Sequence, residues 1–111
     1  MINLVYQIKI SDNLLALTTR IMNTLLVSYD LIAPSRNYEP LREFLESHSS
    51  WAKPVQSLYL VKSSKSAKLL RNDLTSFLDT NDKIIVINVT SDGAAWKGLG
   101  EKVSDWIKNN L

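Results

Sequence analysis

The stretch Leu25-Leu26-Val27-Ser28-Tyr29-Asp30 predicts a short buried strand with a carboxylate at its end. A run of four to eight mostly apolar residues, bounded by turn formers, is typical of a strand in the core of a sheet. The turn formers follow at once, in Ala33-Pro34-Ser35-Arg36-Asn37. We therefore expect Asp30 at the carboxyl end of the first strand.

An amphipathic helix is predicted after this turn. Asn37 can cap its first turn, and Pro40 is tolerated there because the first N–H groups of a helix have no partner within it. The apolar side is expected to carry four residues at helical spacing, namely Leu41, Phe44, Leu45 and His48. His48 is the only histidine in the sequence and lies on this apolar side of the helix. We therefore assign it a partly buried structural role.

The rest of the chain alternates between strand and helix patterns. Two strands are predicted over Trp51 to Val55 and Ser57 to Lys62. A second helix follows over Ser66 to Leu78, and then a strand of mostly β-branched residues over Lys83 to Val89. A loop containing three glycines leads to a final helix, whose apolar side includes Trp106.

The order strand, helix, strand, strand, helix, strand, helix predicts a fold class. Two strand-helix-strand units can each make a right-handed crossover onto one antiparallel sheet. We therefore predict an α+β protein with the ferredoxin-like βαββαβ plan, an additional C-terminal helix and an N-terminal extension. The helices would cover one sheet face, which leaves the other face wet or paired with a second subunit. We expect Tyr29, Tyr59 and Trp51 on that open face, which favours a homodimer.

The domain organisation follows from length. The chain has 111 residues, which fits one domain, placed at 22–111. Residues 1–21 precede a complete fold, and two interpretations are open. They add an edge strand over Ile2 to Ile10 and a covering helix over Asp12 to Ile21, or Met22 is the native start and they form a leader from an upstream start codon.

Composition excludes several classes of site. The absence of cysteine excludes disulfides, thiolate metal sites and cysteine nucleophiles, and it fits a cytoplasmic protein. Apolar runs such as Leu58 to Val61 are far shorter than the roughly 20 residues of a membrane helix, so no membrane partner is expected.

Positive charge is concentrated in one segment. Ser47 to Asn72 carries five basic residues and no acidic one, although the formal net charge of the chain is only +2. Lys65, Lys68 and Arg71 form one stripe of the second predicted helix, and Lys62 lies just before it. A row of this kind suits the phosphates of RNA or DNA, so these four residues are candidate nucleic-acid ligands. The alternative is an ordinary solvated helix face.

Two segments of the sequence carry a resemblance to a known family, namely Met22 to Leu31 and Val55 to Lys62. They resemble the first strand and the central strand pair of the small CRISPR-associated ferredoxin-like nucleases, the lesser subunit of the spacer-acquisition complex. Tyr29-Asp30-Leu31 matches the end of the family's first strand. Val55-Gln56 runs directly into Ser57-Leu58-Tyr59, without the spacer that the family has at this point.

This resemblance implies a divalent-metal-dependent endonuclease or ribonuclease of toxin or defence type. Asp30 would bind Mg²⁺ or Mn²⁺, and Ser57 would orient a metal-bound water or a phosphate. A two-fold dimer would bring two copies of Asp30 together. The competing interpretation is structural: Asp30 accepts hydrogen bonds from the following turn or pairs with Arg36.

From Met22 to Leu111 the chain also resembles small bacterial proteins labelled SinR-like. The shared features are Ser28-Tyr29-Asp30-Leu31, Leu60-Val61-Lys62, Ala94-Ala95-Trp96 and the ending from Trp106 to Leu111. The label suggests a transcriptional regulator, but the predicted helices are separated by strands, so no helix-turn-helix is expected. Two function classes stay open: a metal-dependent nuclease, and a non-catalytic homodimeric nucleic-acid-binding or adaptor protein.

Overall fold

A computed structural model describes residues 22–33 and 36–111, in which four strands and three helices alternate as the sequence predicts. The predicted strand over Ile2 to Ile10 and helix over Asp12 to Ile21 lie outside the described residues. The elements are β1 (Asn23–Asp30), α1 (Glu39–Glu46), β2 (Trp51–Val55), β3 (Leu58–Ser63), α2 (Ala67–Thr75), β4 (Lys83–Asn88) and α3 (Glu101–Asn110). The α+β class is confirmed. No helix in the described part of the chain is long and apolar enough to cross a membrane.

The four strands form one antiparallel sheet in the order β2-β3-β1-β4. In its centre, β1 pairs Leu25 with Val61 of β3, and on its other side Val27 pairs with Val86 of β4. The register between β2 and β3 shifts after Ala52, close to Pro54, which has no N–H to donate to a ladder. Within the described residues, β2 and β4 are the edge strands.

The hydrophobic core lies between one face of this sheet and the helices α1 and α2. Alternate residues of β1 and β3 supply the sheet side, and residues four apart on each helix supply the other side. The fully buried cluster consists of Leu25, Val27, Leu41, Leu45, Tyr59, Val61, Leu70 and Leu74. We call this side of the sheet the core face and the opposite side the second face.

Helix boundaries follow local hydrogen bonds. The Ser66 hydroxyl accepts from the backbone N–H of Leu69 at 3.2 Å and caps α2. The predicted extension of α2 to Leu78 is wrong, because the helix ends at Thr75. There the Thr75 and Ser76 hydroxyls donate to backbone carbonyl groups of the last turn, and such bonds compete with continued helix.

The three aromatic residues predicted for the open face lie on the core face instead. Tyr59 is fully buried, and the ring centroids of Tyr29 and Trp51 are 6.4 and 5.8 Å from its own. The physical reason is strand alternation: Tyr29 is two residues from Val27, so both side chains point to the same side. The expectation of a dimer built on these three rings is therefore wrong.

The second face is partly covered by α3, which the sequence predicts as an element but not in position. Ile107 is buried there, and the Trp106 indole N–H donates to the Ser50 hydroxyl at 2.9 Å. On the part of this face formed by β4, Ile85 and Ile87 remain 54% and 44% exposed. The second face therefore carries apolar surface of its own.

Candidate nucleic-acid interface and carboxylate site

Asp30 ends β1 on the second face and is exposed. Its partner across β4 is Lys83, and directly paired residues of two strands project to the same side. A surface depression of about 230 Å³ lies here and includes Ser28 and Ile85 in its lining. No hydrogen bond or ion pair joins the Asp30 carboxylate to another side chain of the described residues.

The structural role considered for Asp30 belongs to Asp82. Its carboxylate accepts hydrogen bonds from the Ile32 N–H at 2.9 Å, the Tyr38 hydroxyl at 2.6 Å and the Asp79 N–H at 2.7 Å. Arg36 lies 3.9 Å from the Asp79 carboxylate, so the alternative pairing with Asp30 is not observed. Asp82 thus joins the loop after β1 to the turn before β4.

The electrostatics of Asp82 follow from these contacts. Desolvation on its own would raise the pKa of the Asp82 carboxyl. The hydrogen bonds from Tyr38, Ile32 and Asp79, together with the nearby Arg36 guanidinium, outweigh that effect and hold the pKa below its ordinary value. The Tyr38 hydroxyl responds in the opposite direction: desolvation and its bond to Asp82 raise its pKa.

Ser57 is exposed in the turn between β2 and β3, and this turn lies beside β1. Its backbone carbonyl accepts from the Tyr29 N–H at 3.2 Å and from the Ser28 hydroxyl at 3.1 Å. Ser57 and Asp30 are therefore brought to the same end of the sheet. The contact runs through the backbone of Ser57, and no hydrogen bond in the described part of the chain links its hydroxyl to Asp30.

The described residues at this end of the sheet do not by themselves complete a metal site. Across residues 22–33 and 36–111, no group of three or more His, Cys, Asp or Glu side chains is placed to hold a metal ion. Mg²⁺ requires octahedral oxygen coordination, and Asp30 supplies one carboxylate beside the Lys83 strand position. Within the described residues Asp30 thus supplies one carboxylate toward such a site, and the Mg²⁺ or Mn²⁺ that the resemblance implies stays a prediction.

The four candidate phosphate ligands divide between two sides of the sheet. Lys62 lies on the second face, where its ammonium donates to the Thr24 hydroxyl at 3.0 Å and to the Asn110 carbonyl at 3.2 Å. A lysine at the last carbonyl groups of a helix stabilises that helix end. Lys62 therefore holds the end of α3 and is not part of a stripe on α2.

On α2, the remaining three cations differ in their contacts. Lys65 forms an ion pair with the Asp73 carboxylate. Lys68 and Arg71 are exposed and lie one helical turn apart, next to the outer edge of β4, where they line a depression of about 420 Å³. Among the described residues, the Arg71 Nε donates to the neutral side chain of Asn72, at 2.9 Å. These two cations, which we call the α2 pair, are the part of the predicted stripe that is open to a ligand.

His48 and the glycine loop, which were also considered from sequence, make packing contacts and hydrogen bonds within the fold. The His48 ring nitrogen Nδ1 lies 2.8 Å from the Leu45 carbonyl oxygen, and its ring meets the Phe44 ring edge-on at 5.6 Å. In the glycine loop, Gly98 adopts a positive φ of 82°, which few residues other than glycine tolerate. In the same loop, the Trp96 indole N–H donates to the Ser104 hydroxyl at 3.0 Å.

One constellation was not predicted. A groove of about 320 Å³ runs between β2 and α3, and its lining contains two tryptophans and two lysines, Trp51, Trp106, Lys53 and Lys102. These elements are about fifty residues apart in sequence, so no local pattern signals their contact. The signal would have been the placement of α3 beside β2.

No family model, curated protein or solved structure matches this chain.

Proposed function

We propose that the protein is a non-catalytic nucleic-acid-binding or adaptor protein that contacts phosphate groups of RNA or DNA through Lys68 and Arg71. The observation that carries the proposal is the α2 pair itself. Both side chains are exposed on one helix face, and neither is paired with a carboxylate of the described residues. A cation held by an internal carboxylate, as Lys65 is, must give up that contact before it binds a phosphate.

We further propose that the fold is the ferredoxin-like plan with an added C-terminal helix. The strand order β2-β3-β1-β4 supports it, because each strand-helix-strand unit then skips one strand and places that strand antiparallel between its own two. In the described sheet this order also leaves β4 at an edge beside α2. The α2 pair can therefore reach a ligand that runs along that edge.

The test is a salt series with a labelled oligonucleotide. Replacing Lys68 and Arg71 with Gln should lower the slope of log affinity against log salt by about 0.7 to 0.9 for each lost contact. The matched control replaces Lys97 and Lys108 with Gln, which removes the same charge from other exposed positions. An equal effect of both double variants, or no binding by the parent protein, would overturn the proposal.

A metal-dependent nuclease is the second candidate, and one observation favours it. Asp30 is exposed on the second face and lines the same depression as Ile85, so a homodimer with its two-fold axis at this depression would bring two Asp30 carboxylates together. A site of this kind would be completed only by the second copy. Cleavage that needs Mn²⁺ and disappears in Asp30→Asn, with Ser57→Ala as a milder variant, would establish this candidate. Cleavage that persists in Asp30→Asn would exclude this site.

The homodimer is proposed on the same face. Ile85 and Ile87 expose about half of their side chains there, and contiguous exposed apolar surface is typical of an interaction site. We also propose a cytoplasmic location, which is supported by the absence of cysteine from the sequence.

A further inference from the structure

The groove between β2 and α3 combines aromatic and cationic side chains. Trp51 and Lys53 come from the core side of β2, and Lys102 and Trp106 come from α3 on the second face, so the groove lies along the edge of the sheet that β2 forms. Ala52 and Val103 complete the lining, so none of the described residues that form the groove is acidic. An anion therefore meets a complementary charge, and a flat apolar group meets an indole.

Both indoles are held in place from outside the groove. The Trp106 N–H donates to Ser50 at 2.9 Å, and the Trp51 ring packs 5.8 Å from the ring centroid of Tyr59. Each tryptophan is half-buried, so part of its surface stays accessible. A rigid, partly exposed aromatic ring is the kind of surface on which nucleobases stack.

The two lysines of the groove differ in how far their ammonium groups are already bonded within the protein. The Lys53 ammonium bonds to the carbonyl oxygens of Val55 and Gln56 and lies 5.6 Å from the Tyr59 ring centroid. Lys102 is exposed and has no ion-pair partner among the described residues. Lys102 is thus the side chain able to contact a phosphate directly, and Lys53 contributes positive charge.

The backbone of β2 adds polar groups to the same groove. The Lys62 N–H donates to the Ser50 carbonyl at 2.9 Å, which makes these two a hydrogen-bonded pair of the β2–β3 ladder. Because such pairs alternate in antiparallel strands, the N–H and C=O of the next residue, Trp51, point away from β3. Within the described residues they lie at the edge of the sheet, where the groove is.

We propose that this groove binds a nucleotide of a single-stranded nucleic acid, with the base stacked on an indole and a phosphate at Lys102. The proposal rests on the proposed nucleic-acid-binding function and names the strand type. In a duplex the bases are stacked and paired with each other, so only an unpaired base offers its face to an indole. A volume of about 320 Å³ is within the range of small-ligand sites.

The groove and the α2 pair lie at opposite edges of the sheet. In the order β2-β3-β1-β4 they are three strand spacings apart, about 14 Å along the sheet. Substitutions at one site therefore leave the other intact, and the two contributions can be measured separately.

The experiment follows tryptophan fluorescence of the full chain during titration with a ten-nucleotide oligothymidylate. A Trp96→Phe background limits the signal to Trp51 and Trp106, since the chain has three tryptophans. We expect quenching by the single strand, and at least tenfold weaker quenching by the same strand in a duplex. Lys102→Gln should weaken the single-strand affinity about threefold to tenfold, whereas Lys108→Gln on the same helix should not.

Trp106 is tested by two variants, because removal of the ring can also disturb α3. Trp106→Phe keeps an aromatic surface and should bind within a few-fold of the parent protein, whereas Trp106→Ala should lose tenfold or more. If Trp106→Ala fails to fold, Lys102→Gln decides the question, since this side chain is exposed and its loss leaves the packing unchanged.

The possible outcomes separate this inference from the proposed function. Oligonucleotide binding without tryptophan quenching overturns the groove and leaves the α2 pair standing. Quenching that survives Lys68→Gln with Arg71→Gln supports the groove. Equal affinity for single strand and duplex, or an affinity for thymidine monophosphate equal to that for the oligomer, overturns the strand assignment. No binding of any nucleic acid overturns both.

Discussion

Replacing Lys62 with Met separates the two roles that the sequence and the structure assign to this lysine. The substitution keeps an unbranched side chain and removes the ammonium. The hydrogen bonds to Thr24 at 3.0 Å and to the Asn110 carbonyl at 3.2 Å are lost, and Thr24 is fully buried. A hydrogen bond that involves a charged group contributes about 1.5 kcal/mol or more. Because this ammonium is only partly buried, we expect the free energy of unfolding to fall by about 1.5 kcal/mol in total.

That loss corresponds to a melting temperature lower by about 6 °C for a domain of this size. Urea unfolding followed by circular dichroism measures the loss in free energy of unfolding. Lys68→Met is the control, since substitution of an exposed helix residue should change the free energy of unfolding by less than about 0.5 kcal/mol. Affinity for an oligonucleotide should fall in Lys68→Met and stay unchanged in Lys62→Met. The reasoning is refuted if Lys62→Met keeps parental stability while losing affinity, because Lys62 would then contact phosphate and not α3.

Two further predictions concern pH and assembly. Since the pKa of Asp82 is lowered in the folded state, its contribution to stability is present above its ordinary value of 3.8 and is lost as the pH falls through the folded value. The stability difference between the parent protein and Asp82→Asn should therefore shrink in acid, and a difference that is constant from neutral pH to pH 3 would contradict this. Ile87→Lys should convert the proposed homodimer to a monomer in sedimentation equilibrium, with Lys97→Gln as the control. A monomeric parent protein at tens of micromolar would refute the dimer.

The periodicity of the sequence was sufficient to predict the elements and their order. The strand ends at Asp30 as predicted, since turn formers follow it, and the helix predicted from Ser66 begins at Ala67, with Ser66 as its cap. Helix ends were less predictable. The end of α2 depends on whether the Thr75 and Ser76 hydroxyls bond to backbone carbonyl groups in place of further helical hydrogen bonds. The spacing of apolar residues gives no information about these side-chain bonds.

The faces of the sheet were predictable in principle, and the placement of α3 was not. Tyr29 follows Leu25 and Val27 at intervals of two, so its position on the core face is a consequence of alternation alone. The position of α3 depends on contacts between distant residues, such as that of Trp106 with Ser50. For this reason the groove between β2 and α3 could not be derived from local patterns.

The same distinction determines how many phosphates the basic segment can bind. From sequence, Ser47 to Asn72 carries a charge of +5, and Lys62, Lys65, Lys68 and Arg71 are four candidate contacts. In the structure, strand alternation directs Lys62 to the end of α3, and Lys65 forms an ion pair with Asp73. The α2 pair is therefore the part of this set that can contact phosphates.

The two counts predict different salt dependences for single-stranded ligands. At about 0.7 per contact, four contacts give a log-log slope near −2.8, and the α2 pair gives about −1.4. A third contact, from Lys102 in the groove, would bring the log-log slope to about −2.1. Replacing Lys102 with Gln should then return the slope to about −1.4, and additional replacement of Lys68 and Arg71 should reduce it close to zero. A parental slope near −2.8 that drops on replacement of Lys62 or Lys65 would show that the sequence count, and not the structural division of these cations, describes the binding surface.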